Sequence, residues 1–117
     1  MLPPLDLDLT RRGRTAVITL RGAADLYGAP LLAEQIEEAA AAGAATLEVD
    51  LSALRFIDSS GLGVLLDAHR TFDGAVVLRG ASGLVRRVLE TAAAAPALNA
   101  QDRRLATILA PTRVLSG

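Results

Sequence analysis

The sequence predicts an α/β domain in which a mixed sheet of four to five strands carries packed helices. Three observations predict it. Short apolar or alternating stretches recur between segments whose apolar residues fall at helix spacing. From Thr15 onward strand and helix patterns take turns, which implies crossover connections and largely parallel pairing. The 117 residues are 51% hydrophobic, enough for one core, and no linker divides them. A single domain over residues 1–117 is expected, with its core at about 5–109 and a short tail at 111–117. Aromatic residues make up only 3%, namely Tyr27, Phe56 and Phe72, so the core must be Leu, Val, Ile and Ala.

Leu5 to Leu9, LDLDL, alternates strictly and reads as a strand. RRGR is a turn with Gly13 as its flexible point, and Thr15 to Leu20 is the returning strand of a hairpin. RGAAD ends it. Leu31 to Gly43 is helical: Pro30 suits a first turn, Leu31, Leu32, Gln35, Ile36 and Ala39 share a face, and Gly43 is a stop. Thr46 to Ser52 is a third strand, with Leu47, Val49 and Leu51 alternating against Glu48 and Asp50. Ala53 to Asp58 connects it to a second helix, Ser59 to Arg70, with Leu62, Leu65, Leu66 and His69 on one stripe. Ala75 to Arg79 is nearly all apolar, as suits a central strand. Ser82 to Ala94 is a third helix with Leu84, Val85, Val88 and Leu89 inward, closed by Pro96. ALNAQ, 97–101, is an edge strand or a loop, and Arg103 to Leu109 a last helix ended by Pro111.

Composition narrows the function. Twelve basic residues against thirteen acidic give a charge of -1, so direct nucleic-acid binding is not expected. There is no cysteine and one histidine, His69, so no metal site or cofactor is expected. MLPPLDLDL has no basic region before a long apolar core, and no apolar run approaches the roughly 20 residues of a spanning helix. A cytoplasmic protein without direct membrane insertion is the expectation. Asp6, Asp8, Glu48 and Asp50 alternate along strands and read as the wet face of the sheet.

The informative stretch is LRFIDSSGLG, Leu54 to Gly63. Catalysis by its serines fails on reach. The only histidine is nine residues past Ser60 on the same helix, roughly 13 Å along the axis at about 1.5 Å per residue. The chain has no lysine to serve as a base or to meet a nucleotide phosphate. Neither serine has the flanking glycines of an esterase elbow. No catalytic residue is therefore assigned. Asp58 is placed as N-cap, with Ser59 and Ser60 in the first turn, where backbone donors point outward. Gly61 and Gly63 each cost roughly 0.8–1 kcal/mol inside a helix, which close packing or an approaching partner would justify. A phosphate on either serine would be tolerated at the helix's positive end but not by a protein docked over it. By spacing alone the serines are caps or a switch. An enzyme or small-ligand site would instead require a closed pocket beside Ser60.

The segment LEVDLSALRFIDSSGLGVLLDAHR, Leu47 to Arg70, resembles the centre of STAS domains, especially bacterial anti-sigma factor antagonists. The matching residues are Asp50, Leu51 and Ser52 at the strand end, Phe56 and Ile57 in the lead-in, and Asp58 through Gly63 without change. The resemblance implies a STAS-like fold over roughly Leu5 to Leu109 and a protein that is not an enzyme. It implies binding to an anti-sigma factor that is a serine kinase with a histidine-kinase-like ATP site. It also implies release by phosphorylation at Ser60, with Ser59 the second choice, and restoration by a serine phosphatase. Asp58 would assist recognition of that serine. The expected partner surface comprises Asp25, Tyr27, Asp58, Ser59, Ser60, Gly61, Val64 and Asp67. Ala24 stands where the family usually has leucine, while the following Asp25 is kept. A stressosome-like scaffold or a lipid-transporter accessory subunit is the alternative the family offers.

Overall fold

The computed structural model describes residues 2–94. The expected Pro96 stop, the strand or loop at 97–101, the helix at Arg103–Leu109 and the tail lie outside the described residues. Within them the order is β1 (Asp6–Arg12), β2 (Thr15–Ala24), α1 (Ala29–Ala41), β3 (Thr46–Ile57), α2 (Ser59–Thr71), β4 (Val76–Arg79) and α3 (Gly83–Ala94). The four strands form one sheet in the order β1-β2-β3-β4. β1 and β2 are an antiparallel hairpin, and β2–β3 and β3–β4 are parallel. Gly13 takes φ +58 at the first turn residue, the conformation a two-residue II′ hairpin turn assigns to glycine.

The register sets the core. Ala16 pairs with Leu47 and Ile18 with Val49, while Leu47 and Val49 pair in turn with Val76 and Leu78. These inward residues join Leu32 and Ile36 of α1, Leu65 and Ala68 of α2, and Val85 and Leu89 of α3 in a single cluster. Each fully buried Leu or Ile there contributes about 1.5–3 kcal/mol relative to exposure. The opposite face is polar, as its alternation predicts. Arg21 bridges Asp6 and Asp8 at 2.9 and 2.8 Å, and Glu48 receives Arg12 and Arg79 at 3.1 and 3.3 Å.

Several elements differ from expectation. β2 does not stop at Leu20 nor β3 at Ser52. Pairing continues from Arg21 with Ala53 to Ala24 with Ile57, through register shifts at Thr19/Arg21 and Gly22/Ala23. Gly22, at φ +88, makes the second irregularity possible, and its missing side chain leaves room for the Pro4 carbonyl. Cross-strand hydrogen bonding thus overrides a polar and glycine-containing local sequence. In the described sheet β4 pairs with β3, and the strand that could flank its other edge, at 97–101, lies outside the described residues. The apolar character of β4 comes from Val76 and Leu78 in the core, with Val77 half-buried. Leu31 and Leu84, expected inward, are 53% and 51% exposed. The buried stripes instead run through Ala29, Leu32, Ile36 and Ala39 and through Val85 and Leu89, a small rotation of each helix about its axis.

On the polar face Asp50 Oδ1 accepts hydrogen bonds from the backbone N–H and the hydroxyl of Ser52 at 2.9 and 2.7 Å. Partial burial acts to raise the Asp50 pKa, but those two bonds and the Arg79 charge outweigh it and hold it below the ordinary carboxylate value. A carboxylate depressed in the folded state stabilises the protein above its unfolded pKa of about 3.9, and that stabilisation fades as pH falls through the folded value. Asp50→Asn is therefore expected to lower the melting temperature at pH 6 yet lose less between pH 4 and pH 2 than the natural chain. Parallel acid limbs in a thermal series would contradict this.

Candidate functional site

The extension of β2 and β3 builds the site. Ile57 ends β3 and Asp58 turns out of the sheet with φ -119 and ψ -170, an extended N-cap. Its Oδ1 accepts the N–H groups of Ser60 at 2.8 Å and Gly61 at 3.3 Å. Its backbone N–H donates to the Ala24 carbonyl at 3.3 Å, and its carbonyl accepts Leu62 N–H at 2.9 Å. The Asp58 backbone N–H thereby fastens the start of α2 to the end of β2, while its side chain caps the helix. Removing the cap with Asp58→Ala is expected to cost about 1 kcal/mol, read as a lower urea midpoint. An unchanged midpoint would show that the cap carries no weight.

The two glycines of the motif have different reasons. A Cβ on Gly61 would lie 2.5 Å from the Ala24 carbonyl oxygen and 2.9 Å from Ile57 Cγ1, so this residue lets the helix rest on the strand. A Cβ on Gly63 would meet nothing within 4 Å. The sequence treated them alike, because only the packing partner Ala24, 37 positions before Gly61, tells them apart.

The same fastening brings the β2–α1 turn to the site, because Asp25 directly follows Ala24. Asp25 Oδ1 accepts Tyr27 N–H at 3.0 Å and Gly28 N–H at 2.9 Å, and its carbonyl accepts Ala29 N–H at 2.8 Å. Two aspartates thus order the two helix entries at the carboxyl ends of adjacent parallel strands. Tyr27 is held outward, 85% exposed.

Of the expected surface residues, Ser59 is exposed, Ser60, Asp58 and Asp25 are half-buried, and Tyr27 and Asp67 are exposed. No hydrogen bond of the Ser59 or Ser60 hydroxyl is found among the described residues. Asp67 accepts from Arg70 Nη2 at 2.8 Å. Two residues sit otherwise than expected. Gly61 is buried on Ala24, and Val64 is half-buried with its side chain against the core cluster. The outward stripe of α2 runs instead through Ser59, Ser60, Gly63 and Asp67, at helix spacing of three and four. Leu26, next to Asp25 in the β2–α1 turn, is the exposed apolar residue that the sequence pattern does not mark. Leu26, at 65% exposed, carries no periodic signal because it lies in a turn.

The arrangement is an open helix start. Four concave regions lie along α1 and beside α3, and the walls of these four do not include Asp58, Ser59 or Ser60. His69 is half-buried near Gly74, at the far end of α2. Among the described residues no three potential ligands cluster around a metal position, and no helix is long and apolar enough to cross a membrane. What this geometry offers is an accessible hydroxyl at a capped helix start and a neighbouring turn with an exposed aromatic ring.

Comparison with known proteins places the chain. Residues 7–105 match the family described as Mlab, STAS domain. The solved anti-sigma factor antagonist SpoIIAA in its unphosphorylated form is 30% identical, over 73% of this chain and 78% of that one, with a TM-score of 0.65. The Bacillus SpoIIAA in its phosphorylated form is 29% identical over 73% of this chain and 81% of that one, with a TM-score of 0.60. An anti-sigma factor antagonist from Mycobacterium paratuberculosis is 21% identical over 89% and 93% respectively, with a TM-score of 0.70, a likeness of fold. No curated protein matches significantly in sequence.

Proposed function

The chain belongs to the STAS domain family, a non-catalytic regulatory fold, and from that membership we propose that it is an anti-sigma factor antagonist-like protein switched off by phosphorylation at Ser60. Its partner in this reading is an anti-sigma factor serine kinase of the histidine-kinase-like ATPase fold. A serine phosphatase resets it. The observation that carries the reading is the half-exposed Ser60 in the first turn of α2, behind the Asp58 cap and beside the Asp25–Tyr27 turn. SpoIIAA, solved with and without phosphate, supports a switch of this kind in a relative of the same fold.

Unmodified, the first turn of α2 presents small side chains, Ser59, Ser60 and Gly63, over which a partner can close. Phosphate adds roughly -1.5 to -2 charges and three acceptors. The helix terminus accommodates the anion, and Asp58 is the main local repulsion. The docked partner has to desolvate that charge or leave. Ser59 is the more exposed hydroxyl and the second choice of acceptor.

The direct test incubates the chain with the candidate kinase and labelled ATP, then maps the phosphopeptide. Ser60→Ala should take up no label and still bind the kinase. Label retained in that variant moves the acceptor, with Ser59→Ala the next variant. A second reading rests on the family description, which names Mlab beside the STAS domain. In it the same surface fixes the chain as a scaffold or accessory subunit, and Ser60 never carries phosphate. Mass spectrometry of the protein from its own cells separates the two.

A further inference from the structure

A groove runs between α1 and β1, the strand that ends the sheet order. It consists of three successive hollows of about 540, 230 and 190 Å³. The first two share Leu5 and Leu31, and the third continues past Leu9 to the end of α1. The wide and narrow hollows are mostly apolar and the middle one is mixed, with Leu5, Leu7 and Leu9 only half-buried although they pack against the core. Four of the five large apolar side chains exposed among the described residues, Leu2, Leu26, Tyr27 and Leu31, lie at or beside its wide end.

The rim is mainly acidic, with Arg11 as its basic member at the narrow end. Asp25, Glu34 and Glu38 each stand in the wall of one hollow. Among the described residues no basic group lies within 4.0 Å of Glu34, Glu37 or Glu38. α1 contains no Arg or Lys. Arg11, at the narrow end, is committed to the carbonyls of Ala42 and Gly13 at 2.8 and 3.0 Å. An apolar trough with acidic walls complements a helix that is leucine-rich on one face and basic on the other, the helix-in-groove mode of recognition. The 13 residues of α1 span about 20 Å, room for some four turns of such a helix.

We propose that the α1/β1 groove is a docking site for a basic amphipathic helix of a protein partner, adjoining the Ser60 surface at the Asp25–Tyr27 turn and extending away from it along Leu31, Glu34 and Glu38. An anionic membrane is disfavoured by the acidic rim. A two-fold contact through this face is disfavoured too, since an isologous interface brings both acidic strips together.

Tyr27 is the only tyrosine and there is no tryptophan, so intrinsic emission of the whole chain reports on the mouth of the groove. The probe is a 16-residue helical peptide of leucine and lysine with leucines at i, i+3, i+4 and i+7, without aromatic residues. A saturable emission change is expected, at least tenfold tighter than for the same composition scrambled. Leu31→Gln, an exposed position, should weaken it tenfold or more. Glu34→Gln with Glu38→Gln should flatten its salt dependence. Ser60→Asp should change it less than twofold, so failure here is distinguishable from failure of the switch. The proposal is overturned by equal response to the scrambled peptide or by unchanged binding of Leu31→Gln. It is also overturned by an equal response to phosphatidylglycerol vesicles. Protection of Tyr27 from acrylamide in the free chain would likewise overturn it, since a second copy or residues 103–109 would then occupy the groove.

Discussion

Ser60→Asp is expected to leave the melting temperature within about a degree of the natural chain and to weaken binding to the partner kinase tenfold or more. Both halves have one cause. Ser60 is in the first turn of α2, where the helix dipole favours negative charge even though Asp58 already takes the Ser60 and Gly61 N–H groups. Its side chain is only half-buried, so the fold surrenders little room to a carboxylate. A docked protein lacks that tolerance. A charge introduced under an interface without a partner costs several kcal/mol, and each 1.4 kcal/mol is about a factor of ten in affinity. Calorimetric titration of purified kinase against both chains measures the difference, with thermal unfolding as the control. Equal affinities with a folded variant would remove Ser60 from the interface. Equal loss in Ser59→Asp would widen the switch to the pair.

Gly61→Ala and Gly63→Ala are expected to move stability in opposite directions, though the two glycines are two positions apart in one helix. At position 61 the new methyl would meet the Ala24 carbonyl oxygen at 2.5 Å, the Ile57 side chain at 2.9 Å and the Ala24 side chain at 3.0 Å. The carbonyl is backbone, tied to the Asp58 N–H, and cannot rotate aside. Overpacking of this kind costs roughly 1–3 kcal/mol, and relief requires lifting α2 from β2. At position 63 the methyl meets open space, and alanine gains roughly 0.8–1 kcal/mol of helix propensity. Urea midpoints of the two variants test the sign. The Gly63 variant has a second use. The natural chain forgoes that stabilisation on the outward stripe it shares with Ser59 and Ser60. A more stable Gly63→Ala protein that binds the proposed kinase partner more weakly would place the partner's backbone against this glycine.

Much of the fold was legible because the patterns are local. LDLDL and LEVDL alternate with period two, and LLAEQIEEA carries a helix face bounded by Pro30 and Gly43. DSSG announces an N-cap followed by a first turn, and the structure has that cap with its two hydrogen bonds. The ends of β2 and β3 were not legible. Their last residues, RGAA and SALRFI, have weak strand character, and they extend because each supplies the other's hydrogen bonds. The outward turn of Leu31 and Leu84 was hidden for a related reason. Two adjacent apolar residues are equivalent to periodicity, and the tilt of the helix on the sheet chooses between them.

The sequence by itself determined the alternation of strands and helices, the capped serine pair and the absence of a base to make either serine a nucleophile. Those properties depend on residues within one or two turns of each other. Tertiary structure alone decided that Ala24 and Gly61 touch, that Asp25 and Tyr27 lie beside the start of α2, and that α1 and β1 leave an acidic-walled groove. The physical reason is that parallel pairing joins residues more than thirty positions apart. No local pattern records where two strands will stop pairing, and here that stopping point is where the site begins.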